Sequence, residues 1–363
     1  MGKRRSSRET PPCYAIVFPG LEKIAAEEIA AVLNGEVKRT ASGLVVFRVP
    51  HLDAAVLQLR TVEDVFLLAW GTDKLAYRAS DLKRIREWTA HEVDWDRLLR
   101  IHHAIRPKPK SKPSYRLVTQ MTGEHGYRRV DARKALAEGL TGKIPPSWRP
   151  AEENAAVEIW LTIHGATAVC GLRLSDRTMR HRAYKFEHLP ASLRPSLAAG
   201  MARLAQSKPR QVVLDPMCGA GTILAEVLEQ AHGEGIRLAA VLGGDRESVA
   251  LRAAERNLRH LGHALLVRWD ARALALPDGS VDRILSNPPF GKQLSRPEEI
   301  GPLYQQFVPE CNRVLRRGGR AVLLVGDQTA LREAAAEVGW NLERQFRVRV
   351  LGQPAFLSLW KKD

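Results

Sequence analysis

The sequence predicts an α/β protein whose rear half is built on a mostly parallel sheet and whose front half is a separate α+β region. From Arg210 onward, short continuous apolar runs alternate with helical patterns, which is typical of parallel strands covered by helices on both faces. Residues 342–360 hold two strand-like runs around Gly352, which predict a terminal antiparallel hairpin. The chain has 363 residues, too many for one ordinary core, so two or three domains are expected.

The first 70 residues predict a small α+β unit. β-Branched and aromatic runs indicate strands, and apolar residues at helical spacing indicate helices. In chain order, we expect a strand at 14–18, a helix at 21–33, a strand at 44–49, a helix at 51–59 and a strand at 65–70. The order β-α-β-α-β is of the ferredoxin-like type.

A second group of elements follows before the rear sheet. We expect helices at 82–88, 95–104 and 127–140, a strand at 114–119, and a hairpin of 156–163 with 167–174. Residues 174–197 then link the halves, and Pro195 fits the first turn of a helix over 196–204.

In the rear half, the alternation is regular. The predicted strands are 212–214, 238–242, 265–267, 281–285 and 321–325. The predicted helices are 222–230, 248–260, 303–315 and 330–338.

The charge of the chain points to a polyanionic partner. The net charge is +16, which suggests nucleic acid or an acidic membrane surface. Residues 97–149 alone carry 13 basic and 3 acidic side chains. Basic side chains with interleaved aromatic residues suit phosphate contacts and base stacking, although a merely solvated face would show the same charge.

Other features of the composition argue against several classes of protein. No apolar run reaches the roughly 18 residues that a membrane span needs, and no apolar stretch of a secretory signal follows the basic start, so a cytoplasmic protein is expected. The four cysteines (Cys13, Cys170, Cys218 and Cys311) are far apart, which favours packing in a reducing cytosol over zinc binding or disulfides. We therefore expect no metal and no membrane partner.

The run Asn287-Pro288-Pro289-Phe290 closes the predicted strand 281–285. Two prolines stiffen the turn, so that the Asn287 side chain and the Pro288 carbonyl are held as acceptors beside the flat face of Phe290. Two acceptors and an aromatic plane suit a planar ring that carries an exocyclic amino group. The alternative is a strand end closed by a proline turn.

A glycine-containing loop, D-P-M-C-G-A-G-T from Asp215 to Thr222, lies between a predicted strand and a helix. Gly219 and Gly221 let the backbone approach a ligand without a Cβ clash. A dinucleotide fingerprint needs a third glycine, but Leu224 occupies that position, which disfavours nicotinamide cofactors. A purely structural glycine turn is the remaining alternative.

Further carboxylates follow the next two strands. Asp245 can accept hydrogen bonds from both hydroxyls of a ribose, or it caps the helix that starts near Ser248. Asp270 and Ala271 follow the third strand and bind a ligand or form a polar turn. Ligands of open α/β sheets lie outside the carboxyl ends of the strands, and four such groups in successive strands favour a single ligand site.

These motifs, together with L-R-P-S-L-A-A (193–199), N-P-P-F-G-K and the pattern P-G-L-E-K-x-x-A-x-E from Pro19, resemble one family. The chain is similar to THUMP-domain class I S-adenosylmethionine-dependent RNA methyltransferases, and above all to the tRNA guanine-N2 methyltransferases of bacteria and archaea. The resemblance implies a ferredoxin-like domain at 1–58, a THUMP RNA-binding domain at 59–176, a linker at 177–194 and a Rossmann-like methyltransferase domain at 195–363.

The resemblance also assigns roles to residues. It implies S-adenosylmethionine as the cofactor, with Asp215 near the methionine amino group and Asp270-Ala271 near the adenine amino group. The expected cofactor-binding residues are Asp215, Cys218, Gly219, Gly221, Asp245, Asp270, Ala271 and Asn287. The expected catalytic residues are Asn287, Pro288 and Phe290. The expected RNA-binding residues are Lys108, Lys110, Lys112, Arg128, Arg129, Arg133 and Lys292, the last of which contacts substrate phosphate or is merely solvated.

The implied product is N2-methylguanosine in tRNA, in the acceptor stem and at position six by family analogy, made by a monomer. Three alternatives keep the chemistry and change the acceptor. DNA adenine methyltransferases would need a target-reading domain, glutamine-amide methyltransferases lack so large a basic front region, and ribosomal RNA is the closest rival substrate. An alternative of another class is a non-catalytic RNA-binding protein with a relic methyltransferase fold, against which the intact motif residues count.

Overall fold

The computed structural model describes residues 10–106, 113–190, 192–290 and 300–363. The chain divides into two compact units. The first contains the described residues up to 16, with 28–59 and 64–179, and the second contains 17–27, 60–63 and everything from 180 onward. The three-part division expected from the sequence stays a prediction. In the described part of the chain, the helices are too short or too polar to cross a bilayer.

The sheet of the first unit has eight strands. They are Cys13–Val17 (β1), Glu36–Ala41 (β2), Leu44–Arg48 (β3), Val62–Thr72 (β4), Ser114–Thr122 (β5), Arg149–Pro150 (β6), Val157–His164 (β7) and Thr167–Arg173 (β8). Their spatial order is β2-β3-β1-β4-β8-β7-β5-β6. The helices in this part of the sequence are Glu22–Leu33 (α1), Ser80–His91 (α2), Trp95–Ile105 (α3) and Arg129–Gly139 (α4).

The start of the chain has the ferredoxin-like order of elements, but two predictions there are wrong in detail. Strand β2 was missed, because four of its six residues are exposed and the other two half-buried, and its sequence E-V-K-R-T-A carries little apolar signal. The helix expected at 51–59 is only a short 3-10 helix at Ala54–Gln58, which begins where the Asp53 carboxylate accepts a hydrogen bond from the Ala55 amide. The observed order is therefore β-α-β-β-3-10-β.

Apart from the two-residue strand β6, which was not predicted, the remaining strands of this sheet agree with the predictions. The predicted hairpin is confirmed, because β7 and β8 pair in antiparallel fashion across the turn after His164. β5 runs parallel to β7 from Tyr115 to Thr122. Helix α4 begins at Arg129, two residues later than predicted, because the Asp131 carboxylate accepts a hydrogen bond from the Arg128 amide at the helix start.

The second unit holds a seven-stranded sheet. Its strands are Val212–Asp215 (β9), Ala240–Asp245 (β10), Leu265–Arg268 (β11), Val281–Ser286 (β12), Leu315–Val325 (β13), Trp340–Val350 (β14) and Gln353–Lys362 (β15). Their order is β11-β10-β9-β12-β13-β15-β14. The strands β9 to β13 are parallel, whereas β15 pairs in antiparallel fashion with both β13 and β14. The prediction of a mostly parallel sheet with a terminal antiparallel hairpin is confirmed.

Helices cover this sheet and bury its strands. After the short helix Arg177–His181 (α5), they are Pro195–Ala205 (α6), Thr222–Gly233 (α7), Ser248–Leu258 (α8), Ile300–Val314 (α9) and Gln328–Glu337 (α10). One apolar cluster combines α9 and α10 with strand residues such as Ile284 and Leu323, and another combines α6 with Leu285 and Val322. Alternate residues of the strands thus point into two cores, which explains why the strands read as continuous apolar runs.

A buried carboxylate anchors the segment that precedes α6. Glu226 on α7 is fully buried, and it accepts hydrogen bonds from Arg60 Nε (2.7 Å), Arg182 Nε (3.0 Å) and the Tyr184 hydroxyl (2.7 Å). A buried carboxylate is costly without compensating donors, and these three side chains supply them. The bonds from Arg182 and Tyr184 hold the chain at 182–184 against α7.

We predict that two glycines in neighbouring strands of the first sheet respond differently to an added methyl group. A Cβ at Gly171 would lie 2.2 Å from the Leu67 carbonyl oxygen and 2.6 Å from Tyr14, whereas a Cβ at Gly71 would meet its nearest atom at an ordinary 3.4 Å. We expect Gly171→Ala to lower the free energy of unfolding by about 2 kcal/mol or more through overpacking, and Gly71→Ala to change it by less than about 1 kcal/mol. Urea denaturation of both variants measures this, and equal losses would contradict the packing.

Candidate active site

A cavity of about 970 Å³ opens at the carboxyl ends of the parallel strands of the second unit. The predicted residues that line it are Asp215, Cys218, Gly219, Asp245, Asp270, Ala271, Asn287, Pro288 and Phe290. They follow β9, β10, β11 and β12, four adjacent strands of the sheet. The sheet topology thus brings together groups that lie up to 75 positions apart, at the edge where open α/β sheets bind ligands.

The glycine loop between β9 and α7 forms the floor of the cavity. Gly219 has a φ of 53°, and a Cβ there would meet no described atom within 4 Å, so the backbone faces open space. Its amide donates a hydrogen bond of 3.0 Å to Asp245 Oδ2, and the Cys218 amide donates one of 2.8 Å to the Gly244 carbonyl. Two bonds therefore join the loop to the end of β10.

Gly221 differs from Gly219 in its surroundings. It is absent from the cavity lining, and its φ of 75° starts helix α7 in the left-handed region. A Cβ at this position would lie 3.1 Å from Cβ of Ala254 on α8. Glycine here satisfies the backbone and the packing of two helices, so contact with a ligand through Gly221 stays a prediction.

Asp215 is the last residue of β9, the middle one of the five parallel strands, and is fully buried. Its Oδ1 accepts hydrogen bonds from the Met217 amide and the Ser286 hydroxyl, both at 3.2 Å. Its Oδ2 is buried and has no hydrogen-bond partner among the described residues. Burial raises the pKa of this carboxyl to about 8, against hydrogen bonds that lower it, and nearby Asp245 adds to the rise. The site therefore offers an unsatisfied acceptor that a cation would stabilise.

Both carboxylate oxygens of Asp245 accept hydrogen bonds from backbone amides. Oδ2 accepts from the Gly219 amide, and Oδ1 accepts from the Glu247 amide at 3.0 Å. The alternative of a helix cap is only partly right, because Glu247 is the cap residue of α8 and has no side-chain cap bond. A carboxylate has about four acceptor positions, so Asp245 keeps capacity for hydroxyl groups of a ligand.

Asp270 is held by its own neighbour. Arg272 Nη2 donates to Asp270 Oδ2 at 2.6 Å and Arg272 Nε donates to Oδ1 at 2.9 Å. These bonds lower the pKa of Asp270 to about 2, so the carboxylate stays ionised. Ala271 beside it is buried and lines the cavity.

Trp269 contributes to the site and was missed in the sequence. Its indole lies directly on Gly244, where an added Cβ would come within 1.8 Å of Nε1, and Nε1 donates a hydrogen bond of 3.2 Å to the Pro216 carbonyl. Trp269 thus joins the ends of three strands and forms part of the cavity wall. The only local signal was an aromatic residue beside Asp270, which is also typical of an ordinary core.

The turn after β12 leaves one of the two expected acceptors, Asn287 Oδ1, open. Asn287 Oδ1 is buried and has no hydrogen-bond partner within the ranges that the structure describes. The Tyr304 hydroxyl donates to the Pro289 carbonyl at 3.4 Å, and Phe290 packs beside Gly326, where a Cβ would lie 3.4 Å from its ring. Contacts with Tyr304 and Gly326 thus support the turn, while Asn287 Oδ1 remains without a partner among the described residues.

Cys218 also lines the cavity, where its surroundings disfavour the thiolate form. Burial, followed by the nearby carboxylates of Asp215 and Asp245, raises the pKa of its thiol well above the ordinary value. As a protonated thiol, Cys218 forms an apolar part of the cavity lining. Across residues 10–106, 113–190, 192–290 and 300–363, no group of three or more His, Cys, Asp or Glu side chains is placed to hold a metal ion.

The predicted RNA-binding residues belong to the first unit or fall outside the description. Lys108, Lys110, Lys112 and Lys292 lie outside the described residues. Arg128 is exposed and pairs with Asp131 (3.2 Å). Arg129 and Arg133 are exposed on one face of α4, four residues apart.

A stacked aromatic pair near the start of α4, of which only Tyr77 is exposed, was not predicted. Tyr77 is 43% exposed and stacks on His125 with ring centres 5.0 Å apart, and His125 in turn contacts Tyr127. These rings come together from two loops that are distant in sequence, which single-sequence patterns do not show.

Comparisons with known proteins agree with this fold. Residues 182–353 match the family model described as RMKL-like, methyltransferase domain (UPF0020). The chain is 29% identical to the tRNA (guanine(6)-N2)-methyltransferase of Thermus thermophilus over 324 residues, which is 88% of this chain and 90% of that protein. It is 31% identical over 232 residues to the bovine tRNA (guanine(6)-N(2))-methyltransferase THUMP3, covering 59% of this chain and 45% of the relative. The chain therefore spans about half the length of this mammalian relative.

A solved structure matches almost the whole chain. The crystal structure of TrmN from Thermus thermophilus superimposes with a TM-score of 0.78 at 27% identity and covers 98% of this chain and 100% of that one. The sheet order, the glycine loop and these matches define the second unit as a class I methyltransferase domain. The likeness of almost the whole chain to the Thermus proteins confirms the resemblance to class I S-adenosylmethionine-dependent RNA methyltransferases that the sequence motifs predicted.

The state of Asp215 predicts a proton-linked binding equilibrium. With its pKa near 8, this carboxyl is mostly protonated at neutral pH, and a ligand cation beside Oδ2 would favour the ionised form. Cofactor binding should then release a proton, so affinity should rise between about pH 6 and about pH 7.5. Calorimetry in buffers of different ionisation enthalpy measures the released proton. An Asp215→Asn variant should lack this dependence, and an equal release in that variant would exclude Asp215 as its source.

Proposed function

We propose that the protein is an S-adenosylmethionine-dependent tRNA methyltransferase that forms N2-methylguanosine, in the acceptor stem and in the cytoplasm. The observation that carries this proposal is the buried, unpaired Oδ1 of Asn287 at the same cavity as the unpaired Oδ2 of Asp215. One acceptor suits the amine of an acceptor base, and the other suits the ammonium of a methyl donor. The four unpaired cysteines fit a reducing compartment.

The residues of the cavity fit S-adenosylmethionine. The orphaned oxygen of Asp215 would accept from the methionine ammonium, and the open backbone at Gly219 leaves room for the methionine chain. Asp245 would accept from the ribose hydroxyls. Asp270 and Ala271 would lie at the adenine, which completes a set of contacts along the ends of β9, β10 and β11. Cys218 and the Asn287 backbone would complete the wall.

When bound, S-adenosylmethionine supplies an electrophilic methyl group on a sulfonium sulfur, so the protein needs no nucleophile of its own. The difficulty lies in the acceptor, because an exocyclic amine delocalises its lone pair into the ring. Asn287 Oδ1 and the Pro288 carbonyl would accept hydrogen bonds from the two N–H groups of this amine. These bonds would turn the lone pair toward the methyl group and stabilise the positive charge that develops on nitrogen.

Phe290 would stack on the base and hold its plane in register. The carboxamide of Asn287 is not a strong base, so the extra proton on nitrogen would pass to water after the methyl group has been transferred. This sequence fits the acceptor-only character of the site, since Asn287 offers an oxygen and the Pro288 carbonyl has no proton to give.

The choice of tRNA rests on the relatives and on the charge of the front region. Two relatives that match this chain are named as tRNA guanine-N2 methyltransferases. The front segment 97–149, with 13 basic and 3 acidic side chains, is suited to a polyanion. The exposed Arg129 and Arg133 and the stacked pair of Tyr77 and His125 add cationic and aromatic contacts of the kind that RNA needs.

Replacement of Asn287 by alanine tests the catalytic role. The variant should bind S-adenosylmethionine normally and lose methyl transfer to unmodified tRNA by on the order of a hundredfold or more, because the acceptor amine loses its positioning. The measurement combines transfer of a labelled methyl group with nucleoside analysis of the product. Asn341→Ala, at an exposed asparagine outside the cavity lining, is the matched control and should keep full activity.

Two outcomes would reject parts of this proposal. Full activity of the Asn287→Ala variant would exclude the role given to Asn287. Saturable binding of S-adenosylmethionine by the unaltered protein without methylated product, on any RNA offered, would favour the non-catalytic alternative.

A second variant tests the RNA-binding face. Replacing Arg129 and Arg133 together with glutamine removes two exposed cations that make no ion pair within the described part of the chain. Binding of tRNA should weaken, and the slope of log Kd against log salt should fall by about 1 to 2 because fewer counterions are released. Methyl transfer at saturating tRNA should be retained. Replacing Lys23 and Lys38 with glutamine is a control of equal charge, and an equal change of slope in both variants would show that only net charge matters.

A further inference from the structure

Asn257 on α8 joins two walls of the cofactor cavity, although it does not line the cavity itself. Its side chain is 2% exposed, so its polar atoms must be satisfied by the protein. Nδ2 donates to the Ala220 carbonyl at 2.9 Å and to the Glu187 carbonyl at 3.1 Å, and Oδ1 accepts from the Glu187 amide at 2.8 Å. Both donors and the acceptor are therefore in use.

The first wall is the glycine loop. Ala220 lies in the cavity lining between Gly219 and Gly221, the two residues with positive φ. Its carbonyl turns away from the cavity onto α8, where Asn257 holds it. Ala254, one turn earlier on α8, closes the space behind Gly221. Helix α8 thus supports the loop from behind with one hydrogen bond and one close packing contact.

The second wall is the chain that leads into α6. Asn257 pairs with both backbone groups of Glu187, in the manner of a neighbouring strand. Leu189 and Pro190, two and three residues further on, line the cavity. Arg256, next to Asn257, reaches only the exposed carboxylate of Glu187, at 2.8 Å.

We propose that Asn257 is a positioning residue for the methyl donor, which sets the spacing between the glycine loop and the wall formed by Leu189 and Pro190. The proposal rests on the assignment of this cavity to S-adenosylmethionine. A carboxamide is required because the position needs two N–H donors and one acceptor on a short side chain. Aspartate would keep the acceptor but turn an oxygen toward two carbonyl groups, and alanine would leave three backbone groups unsatisfied.

The test is the affinity of the full-length protein for S-adenosylmethionine, measured by calorimetry without RNA, in Asn257→Asp and Asn257→Ala. We expect Kd to rise about tenfold in each variant, as buried backbone groups lose their partners and the two walls shift. Because Asn257 touches neither the acceptor base nor the turn at Asn287, kcat at saturating donor and KM for tRNA should stay within about twofold.

Two controls separate positioning from general stability. Asn312→Ala removes the acceptor for the Trp340 indole (3.0 Å) in the same unit, away from the cavity lining, so it should lower Tm without changing Kd for the donor. Arg256→Ala removes only the exposed ion pair to Glu187 and should change neither quantity.

The results distinguish the proposals. A donor affinity of Asn257→Asp and Asn257→Ala equal to that of the unaltered protein would overturn the role of Asn257, and so would a loss of affinity no larger than in an Asn312→Ala protein of equal Tm. If the unaltered protein itself bound no S-adenosylmethionine, the proposed function would fall, and the role of Asn257 with it.

Discussion

The buried carboxyl of Asp215 is the constraint on which the rest of the site depends. It lies at the end of the central strand, and only one of its oxygens finds donors among the described residues. Removing a carboxylate from water without a full set of partners is costly, and the site meets this cost by raising the pKa rather than by adding a donor. The glycine loop passes directly over this group, and its amide at Gly219 is turned to Asp245 instead. The protein thus leaves an acceptor open at the point where the methionine ammonium would lie.

The site could be predicted from the sequence because each of its groups directly follows a strand, and the same arrangement recurs at several strands. Each functional group stands immediately after an apolar run, and a parallel sheet aligns the carboxyl ends of its strands. The positions of Asp215, Asp245 and Asn287 relative to β9, β10 and β12 therefore followed from strand prediction alone. The terminal hairpin was also predictable, since Gly352 and Pro354 interrupt two runs long enough to pair.

Other features could not be predicted, because they depend on contacts between residues far apart in sequence. Trp269 fits only because Gly244 on a neighbouring strand has no side chain. Asn257 looks like an ordinary polar residue near the end of an amphipathic helix, and its role becomes visible only when the backbone of Glu187 lies beside it. β2 was missed for the opposite reason, since it is an edge strand with a mostly solvated sequence whose pairing with β3 supplies what its own pattern lacks. Asp270 was expected to bind a ligand or to form a polar turn, and the sequence did not show that Arg272 donates to both of its oxygens.

The energetic cost of the unsatisfied groups bears on the choice between an enzyme and a relic. A buried acceptor without a partner costs about 1–3 kcal/mol, and both Asp215 Oδ2 and Asn287 Oδ1 are of this kind within the described chain. The sum is a large part of the net stability of a domain, which is about 5–15 kcal/mol. A single substitution to an apolar side chain would remove either unsatisfied oxygen. A relic would gain stability from such changes and lose nothing, whereas a methyltransferase would lose its contacts with the donor and the base. The open acceptors on two adjacent strands thus fit the proposed methyltransferase, in which the donor and the acceptor base would satisfy them.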